Sequence, residues 1–206
     1  MYKIWITIAC LAILLLGMFY FMPHLKNAYK TLPGTESISA DTENSENFST
    51  WKKFTPQSGL FKVMLPDTPQ YAKDLVAIPR SDKKRRYDMY ASEKINGTLF
   101  LISVITYPQD VDTSLTDDIL RQTLDELMKS HPDNRLSNFK NNLFKMHQTL
   151  DFSLNNGEIQ VEGKILMVGK TVYVLSYITR NDNFDPKEYQ HFMDSFELLN
   201  KESDQE

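Results

Sequence analysis

Hydrophobic and polar positions divide this chain into segments of different texture. Residues 4–22, IWITIACLAILLLGMFYFM, are almost unbroken apolar, with Thr7 the lone aliphatic hydroxyl. At the helical rise these 19 residues span about 28 Å, close to the hydrocarbon thickness of a bilayer. The run predicts one transmembrane helix. From Trp51 onward the texture changes to alternation. The pattern predicts strands at 52–55, 61–65, 70–78, 86–93, 98–107, 136–144, 147–154, 158–168 and 171–179. Turn signals at Gln57-Ser58-Gly59, Asn96-Gly97, Asn155-Asn156-Gly157 and Gly169-Lys170 separate several of them. Asn-Gly between alternating runs is a strong hairpin cue, because both residues tolerate positive φ.

Two stretches switch to helical spacing. Residues 115–129 bring Leu115, Ile119, Leu120, Leu124, Leu127 and Met128 to one face, with Thr116 as the expected N-cap and Asp117 and Asp118 in the first turn. The second helix starts at Asp185-Pro186-Lys187-Glu188. Asp185 caps it, Pro186 suits the first helical position, and Glu188 is expected to close a capping box. Tyr189, Phe192, Met193 and Phe196 then recur at i, i+3, i+4 and i+7, one buried stripe.

The strand faces predict the layering. In 147–154, Leu150, Phe152 and Leu154 share one side. In 98–107, Leu99, Leu101 and Ile105 oppose Phe100, Ile102 and Val104; in 171–179, Tyr173, Leu175 and Tyr177 oppose Val172, Val174 and Ile178. Strands apolar on both faces need cover on both. The expected fold is α+β: a mainly antiparallel sheet sandwiched between helices (α/β/α), preceded by one transmembrane helix.

The apolar run reads as an uncleaved signal anchor over residues 1–25. A cleaved signal has about 7–15 apolar residues and a small-residue cleavage site. Here the run is longer and ends in the bulky Gly17-Met18-Phe19-Tyr20-Phe21-Met22. Cys10, the only cysteine, follows Thr7-Ile8-Ala9 too early for a lipoprotein processing box, and reads as an apolar residue within the span. Lys3 on one side and Lys26 and Lys30 on the other nearly tie the positive-inside count. The default for a short-tailed anchor places residues beyond 25 outside the cytosol, in the periplasm of a bacterial envelope.

Residues 26–50 are rich in Ser, Thr, Asn and Glu, too polar to bury a core, and are expected to form a flexible linker. Its last twenty residues hold four acids and no base, and residues 201–206 form an acidic tail. Residues 51–200 are left with 19 bases and 20 acids, so charge gives no sign of a polyanionic partner. The N-x-S/T matches at Asn47 and Asn96 are short enough to arise by chance.

The opening Phe54-Thr55-Pro56-Gln57-Ser58-Gly59-Leu60-Phe61-Lys62-Val63-Met64-Leu65-Pro66 resembles the start of PsbP-like (PsbP/Mog-type) domains. The close through Gly169-Lys170-Thr171-Val172-Tyr173, with a last helix ending Phe192-Met193-Asp194-Ser195-Phe196, is similar too. The resemblance implies a non-enzymatic binding or accessory module over residues 51–200, of a kind tethered to the membrane in some bacteria. It supplies no catalytic residues.

The chemistry visible in the sequence is sparse. His24, His131, His147 and His191 are scattered without metal-ligand spacing, and no G-x-S-x-G, P-loop or G-x-G-x-x-G is present. No cofactor, metal or catalytic residue is expected. Tyr87, Tyr90, Phe100, Tyr107, Tyr173 and Tyr177 read as core rather than as a pocket lining. The sharpest local feature is Arg80-Ser81-Asp82-Lys83-Lys84-Arg85-Arg86. Arg80, Lys83, Lys84, Arg85 and Arg86 form the candidate contact surface, set against a merely solvated hairpin tip.

The expected function is a membrane-tethered extracytoplasmic binding or accessory module without catalytic activity. It would engage the bilayer through residues 4–22, and an envelope or membrane protein, or a small ligand, through its folded part. Nucleic acid is not expected. The alternatives are an anchored hydrolase with a site assembled across the fold, and a cytosol-facing module that binds anionic lipid through the basic segment.

Overall fold

A computed structural model describes residues 48–79 and 81–199. The expected span at 4–22, most of the linker, Arg80 and the acidic tail lie outside the described residues. Among the described residues no helix is long and apolar enough to cross a membrane.

In chain order the elements are β1 (Lys52–Phe54), β2 (Phe61–Leu65), β3 (Gln70–Ala77), β4 (Lys84–Glu93), β5 (Leu99–Thr106), α1 (Thr116–Lys129), β6 (Arg135–Phe144), β7 (His147–Asn156), β8 (Ile159–Val168), β9 (Thr171–Arg180), α2 (Pro186–Ser195) and β10 (Glu197–Leu198). Seven strands form one sheet in the order β3-β4-β5-β9-β8-β7-β6, and β1-β2-β10 form a second, smaller one. Neighbouring strands are antiparallel throughout. The fold is therefore α+β and mainly antiparallel, as the alternation predicts.

Register shows why the central strands are apolar on both sides. Phe100 pairs with Tyr177, Ile102 with Leu175 and Val104 with Tyr173, while Ile105 pairs with Val172. On one face Ile105, Val172 and Val174 join Leu150, Phe152, Leu154 and Ile165 beneath Leu120 and Leu124 of α1. On the other, Phe100 meets Phe192 of α2 edge-on at 5.3 Å, and Tyr173 meets Phe196 at 5.8 Å. Phe61 of the small sheet stacks on Phe196 at 5.3 Å and packs edge-on with Tyr90 at 5.7 Å. Such ring pairs add about 1 kcal/mol each beyond the area they bury. The six aromatics read as core, Tyr87, Tyr90, Phe100, Tyr107, Tyr173 and Tyr177, are all buried.

The sequence expectations fail in part at the start of each helix and at one strand. Leu115 is not part of the α1 stripe: it stands at the N-cap, 67% exposed, and no side chain caps that helix. Thr116 is instead the first helical residue. At α2 the Asp185 carboxylate accepts the backbone N–H of Lys187 at 2.7 Å and of Glu188 at 3.3 Å, as a cap should. The expected return bond from Glu188 does not form. Its buried carboxylate accepts from Lys94 and, at 3.0 Å, from the Tyr177 hydroxyl. That hydroxyl in turn accepts the Asp185 N–H at 3.4 Å, so the tyrosine stands where the box would close. Finally, β10 is too short to show a period, yet it pairs Glu197 with Lys62 and Leu198 with Phe61.

One glycine is demanded by packing rather than by a turn. Gly163 of β8 lies opposite Phe152 in the ladder. A Cβ there would stand 2.4 Å from the Phe152 ring and 2.5 Å from the Leu175 carbonyl oxygen. The phenyl ring occupies the space a side chain at 163 would need.

Candidate binding surface

The basic segment does not fold into one exposed cationic patch. Strand β4 starts at Lys84, two residues earlier than the pattern predicts, and its alternation turns Arg85 inward with Tyr87. Arg85 is only 2% exposed. Its guanidinium donates to the Tyr107 hydroxyl at 2.7 Å and to Glu126 of α1 at 2.5 Å. It also lies over the rings of Tyr87 and Tyr107, at 5.3 and 5.5 Å, an arrangement that favours a cation. Tyr87 donates to the same Glu126 carboxylate at 3.3 Å. Burial works against the arginine charge, but Tyr87, Glu126 and Tyr107 together raise its pKa above the ordinary value. The Tyr87 hydroxyl is pushed up by burial, with Arg85 opposing. Arg85 is thus a tie between the sheet and α1, and as a surface contact it is corrected.

The other bases are placed differently. Lys83 pairs with Asp110 at 2.8 Å, and Arg86 with Asp88 at 2.7 Å. Asp88 also accepts the Tyr71 hydroxyl at 2.7 Å. Lys84 is exposed and has no ionic partner among the described residues. Arg80 lies outside them. Of the four predicted residues that are described, Lys84 and Arg86 point to solvent, Lys83 is half-buried and Arg85 is turned into the core.

A second surface, unmarked by any motif, is built around β6 and β7. Eight of the ten β6 residues are exposed, and β6 is the last strand of its sheet. Two concavities border it. One, of about 350 Å³, is lined by Asp117, Asn141, Asn142, Leu143, Gln148 and Thr149. The other, of about 230 Å³, is lined by Asn138, Lys140, Asp151, Ser153, Glu162 and Tyr189, among others. In the second, Asp151 accepts from Lys164 at 2.7 Å, Asn142 at 2.9 Å and Thr149 at 3.2 Å. Glu162 accepts from Ser153 at 2.6 Å and Gln160 at 2.8 Å. Burial, and then the charges of Asp151 and Glu162, raise the Tyr189 pKa. Lys140 has no ionic partner among the described residues.

The turn between β6 and β7 is strained and braced. Lys145 and Met146 have φ of 48° and 70°, the left-handed pair that Asn-Gly usually supplies in a two-residue hairpin. The Lys145 ammonium donates to the backbone carbonyls of Asp194 at 3.0 Å and Phe196 at 2.6 Å. A cation at the carboxyl end of α2 is favoured by the helix dipole. This holds the tip in place and leaves Met146, at 92% exposure, facing solvent beside Leu143 at 68%.

Among the described residues no group of three or more His, Cys, Asp or Glu could hold a metal ion. His191 sits on α2 with its ring edge-on to Trp51 at 4.9 Å, and burial lowers its pKa.

No protein-family model matches the chain, and no curated protein sequence matches it. Solved structures are similar to it. One is the solution structure of cyanobacterial PsbP (CyanoP) from Synechocystis sp. PCC 6803, 10% identical over 77% of this chain and 98% of that one, with a TM-score of 0.49. Another is the crystal structure of PA94, a protein of unknown function from Pseudomonas aeruginosa. It is 13% identical over 69% of this chain and 91% of that one, with a TM-score of 0.37.

Proposed function

We propose that this chain is a membrane-tethered binding module of the bacterial envelope, PsbP-like in its folded part and without catalytic activity. Residues 4–22 anchor it as a single transmembrane helix, and the domain faces the periplasm. Its partner is an envelope or membrane protein.

The observation that carries this reading is the braced β6–β7 hairpin. Its Asp151 carboxylate is engaged by Lys164, Asn142 and Thr149, while Phe139, Leu143 and Met146 are left exposed at 44, 68 and 92%. Exposed apolar side chains grouped on one braced element suit contact with another protein. Anionic lipid bound through the basic segment has less support. Each free base near such a surface contributes about 1 kcal/mol, and Lys83, Arg85 and Arg86 already have acidic partners.

Reporters fused after Thr50 test the placement. An external-compartment reporter is expected to be active and a cytosolic one silent; the reverse pattern rejects the envelope reading. Charge reversal of Lys84 and Arg86 together is expected to leave partner binding intact, because neither lies on the hairpin.

A further inference from the structure

We propose that Asn96 is a modification site: it deamidates through a succinimide formed with Gly97, while the identical dipeptide at Asn156-Gly157 is held back by the fold.

Asn-Gly occurs twice in the chain, at 96–97 and 156–157. In each case the nitrogen of a residue with no Cβ lies next to a side-chain amide. Once that nitrogen has lost its proton to base, it attacks the Asn Cγ and closes a five-membered imide. The Cγ–Nδ2 bond breaks, and the nitrogen leaves as ammonia after taking its proton from water. Water then opens the ring at either carbonyl, giving aspartate or isoaspartate. One water enters, one ammonia leaves, and nothing is oxidised or reduced. The dipeptide is the same at both places, so its surroundings decide the rate.

At the turn between β4 and β5, Asn96 is exposed. Its Oδ1 accepts the Thr98 N–H at 3.0 Å. Negative charge develops on that oxygen during the attack, so the donor stabilises the reacting state. The turn bond from the Gly97 N–H to the Lys94 carbonyl, at 2.9 Å, must open first. At the turn between β7 and β8 more has to open. Asn156 is half-buried, and its backbone pairs with Ile159 in the ladder. Its Nδ2 bonds to the His131 Nδ1 at 3.1 Å and to the Asn134 Oδ1 at 3.3 Å, both just beyond the end of α1. Turning the Asn156 amide toward the Gly157 nitrogen breaks both bonds.

The product matters because of what the β4–β5 turn carries. Lys94, at its base, donates to the Glu188 carboxylate, which is 1% exposed. Either product puts a new carboxylate on that turn, in competition with Glu188 for the ammonium. Isoaspartate also runs the main chain through Cβ, which lengthens the turn beside Lys94. Ageing at Asn96 therefore loosens the tie between this turn and α2.

The test incubates the purified full chain in mildly alkaline buffer, with and without concentrated urea. Products at 96 and 156 are followed by peptide mass spectrometry and by labelling with isoaspartyl methyltransferase. In the folded chain, product should accumulate at 96 about tenfold faster than at 156, since each additional bond that must open slows the attack by about fivefold. In urea the two rates should converge. Asn96→Gln should abolish the product at 96 and leave that at 156 unchanged. The isoaspartate fraction, separated by ion exchange, should unfold at lower urea than the fresh chain; Asn96→Asp, which has the charge without the longer main chain, should fall less. Product at 156 as fast as at 96, no product at 96, or a preference that survives in urea overturns the proposal. An unchanged urea midpoint for the isoaspartate fraction overturns the link to Lys94 and Glu188.

Discussion

Replacing Gly163 by alanine should destabilise the domain, although the change adds a single methyl group. Carbon atoms in contact prefer separations of about 3.5–4.0 Å. The new Cβ would stand 2.4 and 2.7 Å from two atoms of the Phe152 ring and 2.5 Å from the Leu175 carbonyl oxygen. The ring would have to retreat by about 1 Å, yet it is 2% exposed and packed among Leu150, Leu154 and Leu124. The carbonyl cannot rotate away, because it belongs to the β9 backbone in the ladder beside β8. Overpacking of this kind costs about 1–3 kcal/mol, and a clash with backbone places Gly163→Ala at the upper end. Lower chain entropy in the unfolded state offsets about 0.5 kcal/mol. The net loss of about 2.5 kcal/mol should lower the urea midpoint by about 1–2 M. The assay is urea unfolding of the purified full chain, followed by circular dichroism. Phe152→Leu added to Gly163→Ala should cost less than the sum of the two single changes, because removing the ring relieves part of the clash. A loss below about 0.5 kcal/mol, or strict additivity of the pair, would refute the reasoning.

Other expectations follow from single contacts. Lys94→Met leaves the Glu188 carboxylate buried at 1% exposure without its ammonium, and should cost about 3 kcal/mol; Glu188→Gln in the same background should recover part of it in thermal unfolding. Met146→Gly removes a side chain from a residue at φ 70° and should stabilise the chain by about 1 kcal/mol, measured as a higher urea midpoint. His191 has a lowered folded pKa, caused first by burial and opposed by Asp194. The unfolded chain therefore binds the extra proton first. The His191 contribution is complete above about pH 6.5, falls as pH drops through the lower folded value, and is flat below it. His191→Phe should flatten that part of the stability–pH profile, and an unchanged slope would count against a partly buried neutral imidazole.

Where one face of an element meets the core, the sequence disclosed it. The two-sided apolar pattern of Phe100–Val104 and Tyr173–Tyr177 fixed the centre of the sheet, and the Phe192/Phe196 stripe fixed the face of α2. Charged residues defeated the same reasoning. Arg85 reads as surface until β4 is seen to start at Lys84, which turns its guanidinium toward Glu126, 41 residues away in sequence. Glu188 reads as a capping residue because nothing local reveals Lys94 or Tyr177 across the fold. The candidate surface was not legible at all: its lining spans Asp117 to Tyr189 and contains no motif. Lys145-Met146 carries none of the glycine or asparagine that marks a left-handed turn.

The pairing of β2 with β10 bears on how the chain is made. The Met64 N–H is bonded to the Ser195 hydroxyl, 131 residues later, and the Leu199 N–H to the Leu60 carbonyl at 3.0 Å. The aromatic face around Phe61 cannot close until α2 and β10 have been synthesised. At a usual rate of synthesis that interval is on the order of ten seconds. The nascent domain spends it with that face open. A chain truncated before Phe192 would lack Phe192 and Phe196, the rings that cover Phe100 and Phe61.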